Sequence, residues 1–146
     1  MTDTPCLFCA IAGGHLPAHV IHQDDTVMAF LDIQPVRPGH TLIIPRRHHV
    51  WFEDLPADTA ARIMALGQDL ARQMKRIHGV ERVSFAFTGI DVAHAHAHIV
   101  PMHELTDVIS RRQIVETDLT FRPMPRAEPE ALAATADALR AALAGR

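Results

Sequence analysis

The chain has no uninterrupted apolar stretch approaching the roughly 18 residues that a membrane-spanning helix needs. It also has no run of cations: 14 basic against 17 acidic residues give a net charge of −3 with histidine neutral. The basic residues are scattered, which argues against general nucleic-acid binding. The start, Met1-Thr2-Asp3-Thr4-Pro5, lacks the basic and then apolar order of a secretory signal, so the expected location is cytoplasmic. Cysteine is scarce, with Cys6 and Cys9 the whole complement. They sit too close to staple a domain, and in a reducing compartment a Cys-x-x-Cys pair reads as a metal half-site or a redox pair. No internal repeat, low-complexity tract or strong linker divides the chain. The 146 residues, 48% apolar, 21% charged and only 5% aromatic, have the profile of one soluble globular domain spanning 1–146.

Histidine is what the chain has in excess. Eleven are present, four of them between residues 94 and 103. At neutral pH histidine is the natural proton shuttle, phosphoryl acceptor and metal ligand, so the chemistry is expected there.

The segment Cys6-Leu7-Phe8-Cys9-Ala10-Ile11-Ala12-Gly13-Gly14 reads as a short apolar turn or helix stopped by two glycines, which holds the cysteines together. Val20 to Gln23 and Val27 to Ile33 suit strands joined by a polar turn at Gln23-Asp24-Asp25. A loop punctuated by Pro35, Pro38 and Gly39 delivers His40 to the β-rich run Thr41-Leu42-Ile43-Ile44, which Pro45 ends. From about Ala57 to His78 the apolar residues Ile63, Leu66, Leu70, Met74 and Ile77 recur with the period of one helix face, and Gly79 fits a left-handed stop. Val83, Phe85 and Phe87 alternate as in a strand. Residues 104–146 form a C-terminal extension with few periodic signals until a second amphipathic helix near 130–144, marked by Leu132, Ala136, Leu139 and Leu143.

In Val92-Ala93-His94-Ala95-His96-Ala97-His98-Ile99-Val100-Pro101, every second residue from 94 to 98 is histidine. Strict alternation is the signature of a strand with two unlike faces. Three imidazoles then line one face, and Ala95, Ala97 and Ile99 line the other. A helix would spread them by about 200° per step with no common surface. Two chemistries fit such a row. The histidines can converge on a catalytic metal that activates water, or one can attack phosphorus and be transiently nucleotidylated while a neighbour donates to the phosphate oxygens.

The run His94-Ala95-His96-Ala97-His98-Ile99-Val100 resembles the His-φ-His-φ-His-φ-φ signature of the histidine triad (HIT) family of nucleotide hydrolases and transferases. The resemblance continues in Cys6-Leu7-Phe8-Cys9, Phe30-Leu31-Asp32-Ile33-Gln34-Pro35, Pro38-Gly39-His40-Thr41-Leu42-Ile43-Ile44-Pro45 and Arg46-Arg47-His48, in family order, and covers residues 5–103. It implies an α+β fold: an antiparallel sheet of about five strands, a long helix packed on it, a C-terminal helix, and a homodimer. It implies hydrolysis of a nucleoside phosphoramidate or dinucleoside polyphosphate, with His96 as the nucleophile that takes up the nucleoside monophosphate. His98 is then expected to contact the α-phosphate and, when protonated, to offset its charge, with His40 as a fourth active-site histidine. Asp32 is expected to hold the ribose hydroxyls, with Ile33 and Phe8 facing the base. Members that keep the Cys-x-x-Cys bind structural zinc, which assigns Cys6, Cys9, His48 and His94 as ligands. His49 adjoins His48, but neighbouring strand residues face opposite ways, so only one of them fits.

The sequence departs from the family just before the triad. Many members carry Gly-Gln-x-Val-x there, whereas this chain has Thr88-Gly89-Ile90-Asp91-Val92-Ala93. Ile90 replaces the glutamine, and Asp91 places a carboxylate near the expected phosphates. Either Asp91 points away or the leaving group differs. Two alternatives stay open: a nucleotidyltransferase, which would use the same first half-reaction, and, on the ground of Ile90 and Asp91, a zinc-stabilised nucleotide-binding or partner-binding module with little turnover. His103 is expected at the pocket rim or in a solvated loop.

Overall fold

A computed structural model describes residues 6–88, 91–107, 127–134 and 140. The chain divides into two compact units, Met1–Val115 and Glu116–Arg146. In the first unit, helix α1 (Leu7–Ala12) is followed by strands β1 (Val20–Gln23), β2 (Val27–Leu31) and β3 (Thr41–Pro45), a 3-10 turn at Phe52–Asp54, helix α2 (Ala57–His78), and strands β4 (Arg82–Phe87) and β5 (Ala97–Met102). In the second unit, residues 129–134 are helical, and the rest of the helix expected near 130–144 lies outside the described residues apart from helical Arg140.

The five strands form one antiparallel sheet in the order β1-β2-β3-β5-β4, as expected for an α+β domain. The two-residue alternation gives the sheet two apolar faces. On one, Val27, Ala29, Ile43, Ala97 and Ile99 pack with Ile63, Leu66 and Met74 of α2. On the other, Met28, Phe30, Leu42 and Ile44 pack with Phe8 and Ala12 of α1. Gly67 sets how closely α2 approaches, because a Cβ there would stand 2.7 Å from the Phe85 ring.

Helix α2 ends as its sequence requires. Gly79 takes φ 65° and its N–H donates to the Lys75 carbonyl. Ile77, part of the expected apolar stripe, is exposed, so the final turn overhangs the core. The hairpin turn between β1 and β2 is held by Asp24, whose Oδ1 accepts the N–H groups of Thr26 and Val27.

The histidine-rich segment differs from a simple strand. β5 starts at Ala97, so His94 and His96 precede it and only His98 lies within the sheet. The reason is where the peptide groups are spent: His94 N–H donates to the Val92 carbonyl and Ala95 N–H to the His49 carbonyl, outside the ladder. Alternation reports an extended backbone, and extension alone does not make a strand. Ala97 and Ile99 do face α2 as expected, while Ala95, buried outside that cluster, borders a cleft beside His96.

Candidate active site

Two neighbouring strands and the approach to one of them bring four histidines together. His40 stands just before β3, and its placement begins with a tight turn. The His40 N–H donates to the Arg37 carbonyl across Pro38 and Gly39, with Gly39 at φ 96°. Proline followed by a positive-φ glycine is what a type II turn requires. The register pairs Leu42 of β3 with His98 of β5, so the His98 ring stands on the α1 side of the sheet. Across β5 its neighbour on β4 is Ala86, whose small side chain leaves the ring space.

The hydrogen bonds fix which nitrogen of each ring carries hydrogen. Val36 N–H donates to His40 Nδ1 at 3.2 Å, which leaves the hydrogen on Nε2. That Nε2–H donates to His98 Nδ1 at 2.9 Å. His96 Nδ1–H donates to the His94 carbonyl at 2.6 Å, leaving the Nε2 lone pair free. The His96 and His98 ring centroids are 4.9 Å apart. Phe8 is buried beneath this row, meeting His96 edge-on at 5.1 Å and Phe30 at 5.6 Å.

Burial shapes the charge of the site. It pushes His98 down to about 4, helped by the neighbouring His96 and His40 rings and opposed by Asp32. The hydrogen bond to the Thr88 carbonyl also opposes that shift, and at neutral pH burial leaves the His98 ring uncharged. Burial also lowers His40, against the pull of Asp32. Asp32 Oδ2 lies 3.8 Å from His40 Nε2, while its Oδ1 accepts the Gln34 N–H at 2.8 Å. Ile33, beside it, is 85% exposed.

Asp32, His40 and His98 lie close enough to suggest a cation site, but the tautomers disfavour one. The hydrogen that Val36 places on His40 Nε2 points at His98 Nδ1 and sits on the atom that would have to bind the ion. A metal needs a lone pair there.

A second cluster has the opposite character. Cys6 caps α1, and its Sγ accepts the Cys9 N–H, so the first turn of the helix draws the two thiols together. Cys6 and Cys9 Sγ stand 3.4 and 3.5 Å from His94 Nδ1, and Cys9 Sγ stands 3.3 Å from His48 Nδ1. Bonds of about 2.3 Å to sulfur and about 2.0 Å to nitrogen at tetrahedral angles give sulfur–nitrogen edges of about 3.5 Å. All four ligand atoms lie within 4.8 Å of one another. The donor set therefore fits zinc. His94 is also oriented for it: Nε2–H donates to the Pro45 carbonyl at 2.9 Å, turning the Nδ1 lone pair toward the thiols. Burial raises Cys9 to about 11, helped by Cys6, and a bound cation would oppose that. His49 takes the separate job of holding Ala95 through its carbonyl.

Other residues fall at the margin. His103 is exposed, with its ring 6.4 Å from that of His78. Asp91 is exposed and Ile90 lies outside the described residues. Sequence reasoning missed Val36, whose contribution is a backbone N–H and leaves no side-chain signal. It also missed Trp51 and Phe52, which with Thr88 border a cleft of about 50 Å³ reaching His96, and the ion pair between Arg37 and Asp107. Among the described residues, no helix is long and apolar enough to cross a membrane.

Comparison with known proteins agrees with this geometry. The HIT domain model matches residues 14–105. A HIT-like protein of Methanocaldococcus jannaschii is 33% identical over 103 residues, covering 68% of this chain and 80% of that protein. Adenosine 5'-monophosphoramidase of Saccharomyces cerevisiae is 32% identical over 103 residues, covering 70% of this chain and 65% of that protein. A zinc-bound histidine triad family protein of Mycobacterium smegmatis superposes with TM-score 0.65 at 35% identity, covering 77% of this chain and 84% of that one. The histidine triad nucleotide-binding protein of Candida albicans shares the fold at TM-score 0.78 and 23% identity, covering 96% of this chain and 98% of that one. With its paired cysteines and alternating histidines set in this sheet, the chain belongs to the HIT family.

Proposed function

We propose that the protein hydrolyses nucleoside 5'-phosphoramidates through a covalent nucleotidyl-His96 intermediate. The observation that carries this reading is the 2.6 Å hydrogen bond from His96 Nδ1–H to the His94 carbonyl, which selects the tautomer whose lone pair is on Nε2. Kinship with a yeast adenosine 5'-monophosphoramidase supports the substrate class. In the first step Nε2 forms a bond to the α-phosphorus while the phosphorus–nitrogen bond breaks, and the amine departs with a proton drawn from solvent. His98, with its Nδ1 occupied by His40 and its other N–H toward the Thr88 carbonyl, exchanges that carbonyl for a phosphate oxygen when substrate binds. In the second step water attacks phosphorus, Nε2 leaves with the bonding pair, and the surplus proton returns to solvent. Asp32 holds the ribose hydroxyls, and the exposed Ile33 with the Phe8 wall receives the base.

In this reading Cys6, Cys9, His48 and His94 hold a structural zinc ion. When bound, it neutralises the thiolates and ties α1 to the segment before β5. The active form is a homodimer. β4 lies at a sheet edge, and an unpaired edge is a ready surface for a second copy; light scattering in solution tests this.

The decisive experiment follows AMP release from adenosine 5'-phosphoramidate, with quenching of the labelled reaction in alkaline denaturant, where a phosphorus–imidazole bond survives, to trap the intermediate. Wild type releases AMP and carries label on His96, while folded His96→Ala loses both activity and label. Tight AMP binding by wild type without cleavage would overturn the hydrolase reading in favour of a binding module. Transfer of the nucleotidyl group to an added alcohol or phosphate in preference to water would favour a transferase.

A further inference from the structure

We infer that the Arg37–Asp107 ion pair is a clamp that positions the His40–His98 pair. Arg37 Nε donates to Asp107 Oδ1 at 2.7 Å, and Asp107 is only 3% exposed. Its other oxygen accepts the N–H groups of His103 and Glu104 at 2.8 and 2.9 Å, anchoring the carboxylate to the turn that follows β5. Glu104 adds a second carboxylate 3.5 Å from the Arg37 guanidinium.

What makes this pair more than an ordinary structural contact is where its cationic end sits. Arg37 is the first residue of the turn whose last residue is His40, and its carbonyl accepts the His40 N–H. The residue before it, Val36, supplies the N–H that fixes the His40 tautomer. The anionic end is fastened beyond the strand that carries His98. The clamp therefore joins the loop that orients one histidine to the strand that carries the other. The 2.9 Å bond between the two rings closes the circuit. Asp107 also lies two residues past the segment matched by the family model, residues 14–105, so the clamp draws on a part of this chain outside that common core.

Without the clamp, the loop is expected to move enough for Val36 N–H to leave His40 Nδ1. The His40 hydrogen can then redistribute between its nitrogens, and His98 loses the fixed donor on its own Nδ1. Misplacement of a catalytic group by about 1 Å costs roughly a hundredfold in rate. Arg37 and Asp107 are positioning residues in this account and touch no substrate. The inference rests on the hydrolase reading for its kinetic consequence, but its structural core does not.

The test uses full-length Arg37→Met and Asp107→Asn, with Arg62→Met as the control. Arg62 makes a comparable ion pair, with Asp24 at 2.8 Å, away from the four histidines. Imidazole nitrogen-15 spectra report the tautomers directly. The expected result is mixed tautomers at His40 and His98 in both clamp variants, with wild-type tautomers in Arg62→Met. In the hydrolase assay the clamp variants should lose roughly ten- to hundredfold in kcat with KM changed less than about threefold. Unchanged tautomers and kcat, with only a loss of thermal stability matching that of Arg62→Met, would overturn the inference. If wild type shows no turnover while the clamp variants still scramble the tautomers, the hydrolase reading fails and the clamp stands.

Discussion

Replacing Gly39 tests whether the loop before β3 is held as tightly as the site requires. Alanine there meets two separate penalties. The first is conformational: φ 96° is unfavourable for a residue with a Cβ, at a cost of about 1–2 kcal/mol. The second is steric, because the new Cβ would clash with His78 Nε2 and stand 3.0 Å from its Cε1. The imidazole is the far end of a side chain and can turn aside, so this contributes a further cost of about 0.5–1.5 kcal/mol. Gly79→Ala separates the two, since Gly79 has φ 65° and nothing within 4 Å of the added Cβ. Both substitutions stiffen the unfolded chain equally, so that contribution cancels in their difference. Urea unfolding should show Gly39→Ala destabilised by about 0.5–1.5 kcal/mol more than Gly79→Ala. Combining Gly39→Ala with His78→Ala should recover most of that difference as a coupling energy. AMP release should also fall in Gly39→Ala and hold in Gly79→Ala, because only the first moves His40. Equal destabilisation by the two glycine variants, with no coupling to His78, would refute the reasoning.

Two further outcomes follow from the clusters at the ends of the histidine row. Stripping metal with a chelator, or Cys6→Ser, should abolish zinc content measured by atomic absorption and lower stability by about 3 kcal/mol, roughly 10 °C in Tm, whereas His96→Ala should keep the metal. Stability should also fall under acid: His98 is lowered from 6.5 to about 4, so the unfolded chain binds the proton first. Its contribution is complete above about pH 6.5 and is lost as pH falls toward 4. Urea midpoints at pH 5 and pH 7 should therefore differ less in His98→Asn than in wild type.

Much of the architecture was legible because it rests on local rules. Helix α2 runs from Ala57 to His78 in the structure as in the sequence, and Gly79 closes it. Strands β1 to β4 fall where alternation and β-branched runs place them, except that β2 stops at Leu31 and not at Ile33, because Asp32 turns the chain by accepting the Gln34 N–H. The metal cluster was legible in its cysteines, whose spacing is local; its histidines come from the resemblance. The start of β5 was not legible, because an extended segment looks alike whether its N–H groups reach a neighbouring strand or the His49 carbonyl. The tautomers were hidden too: they depend on the Val36 N–H and the carbonyls of His94 and Pro45, backbone groups that every residue type supplies. Arg37 and Asp107 are 70 positions apart, and nothing in either neighbourhood marks them as partners.

The pairing of Leu42 with His98 has a consequence for how the molecule reaches its native state. Side chains alternate across β5, so a slip of one residue against β3 would drive His98 into the apolar layer beneath α2 and turn Ile99 toward the α1 side. That misaligned chain would bury an imidazole with no partner and lose the contacts of Ile99 with Ile63 and Leu66. The energy that rejects it comes from the core on the far face, where no chemistry occurs. Folding thus proofreads the histidine row from behind: a copy stable enough to persist is one whose His98 already faces His40.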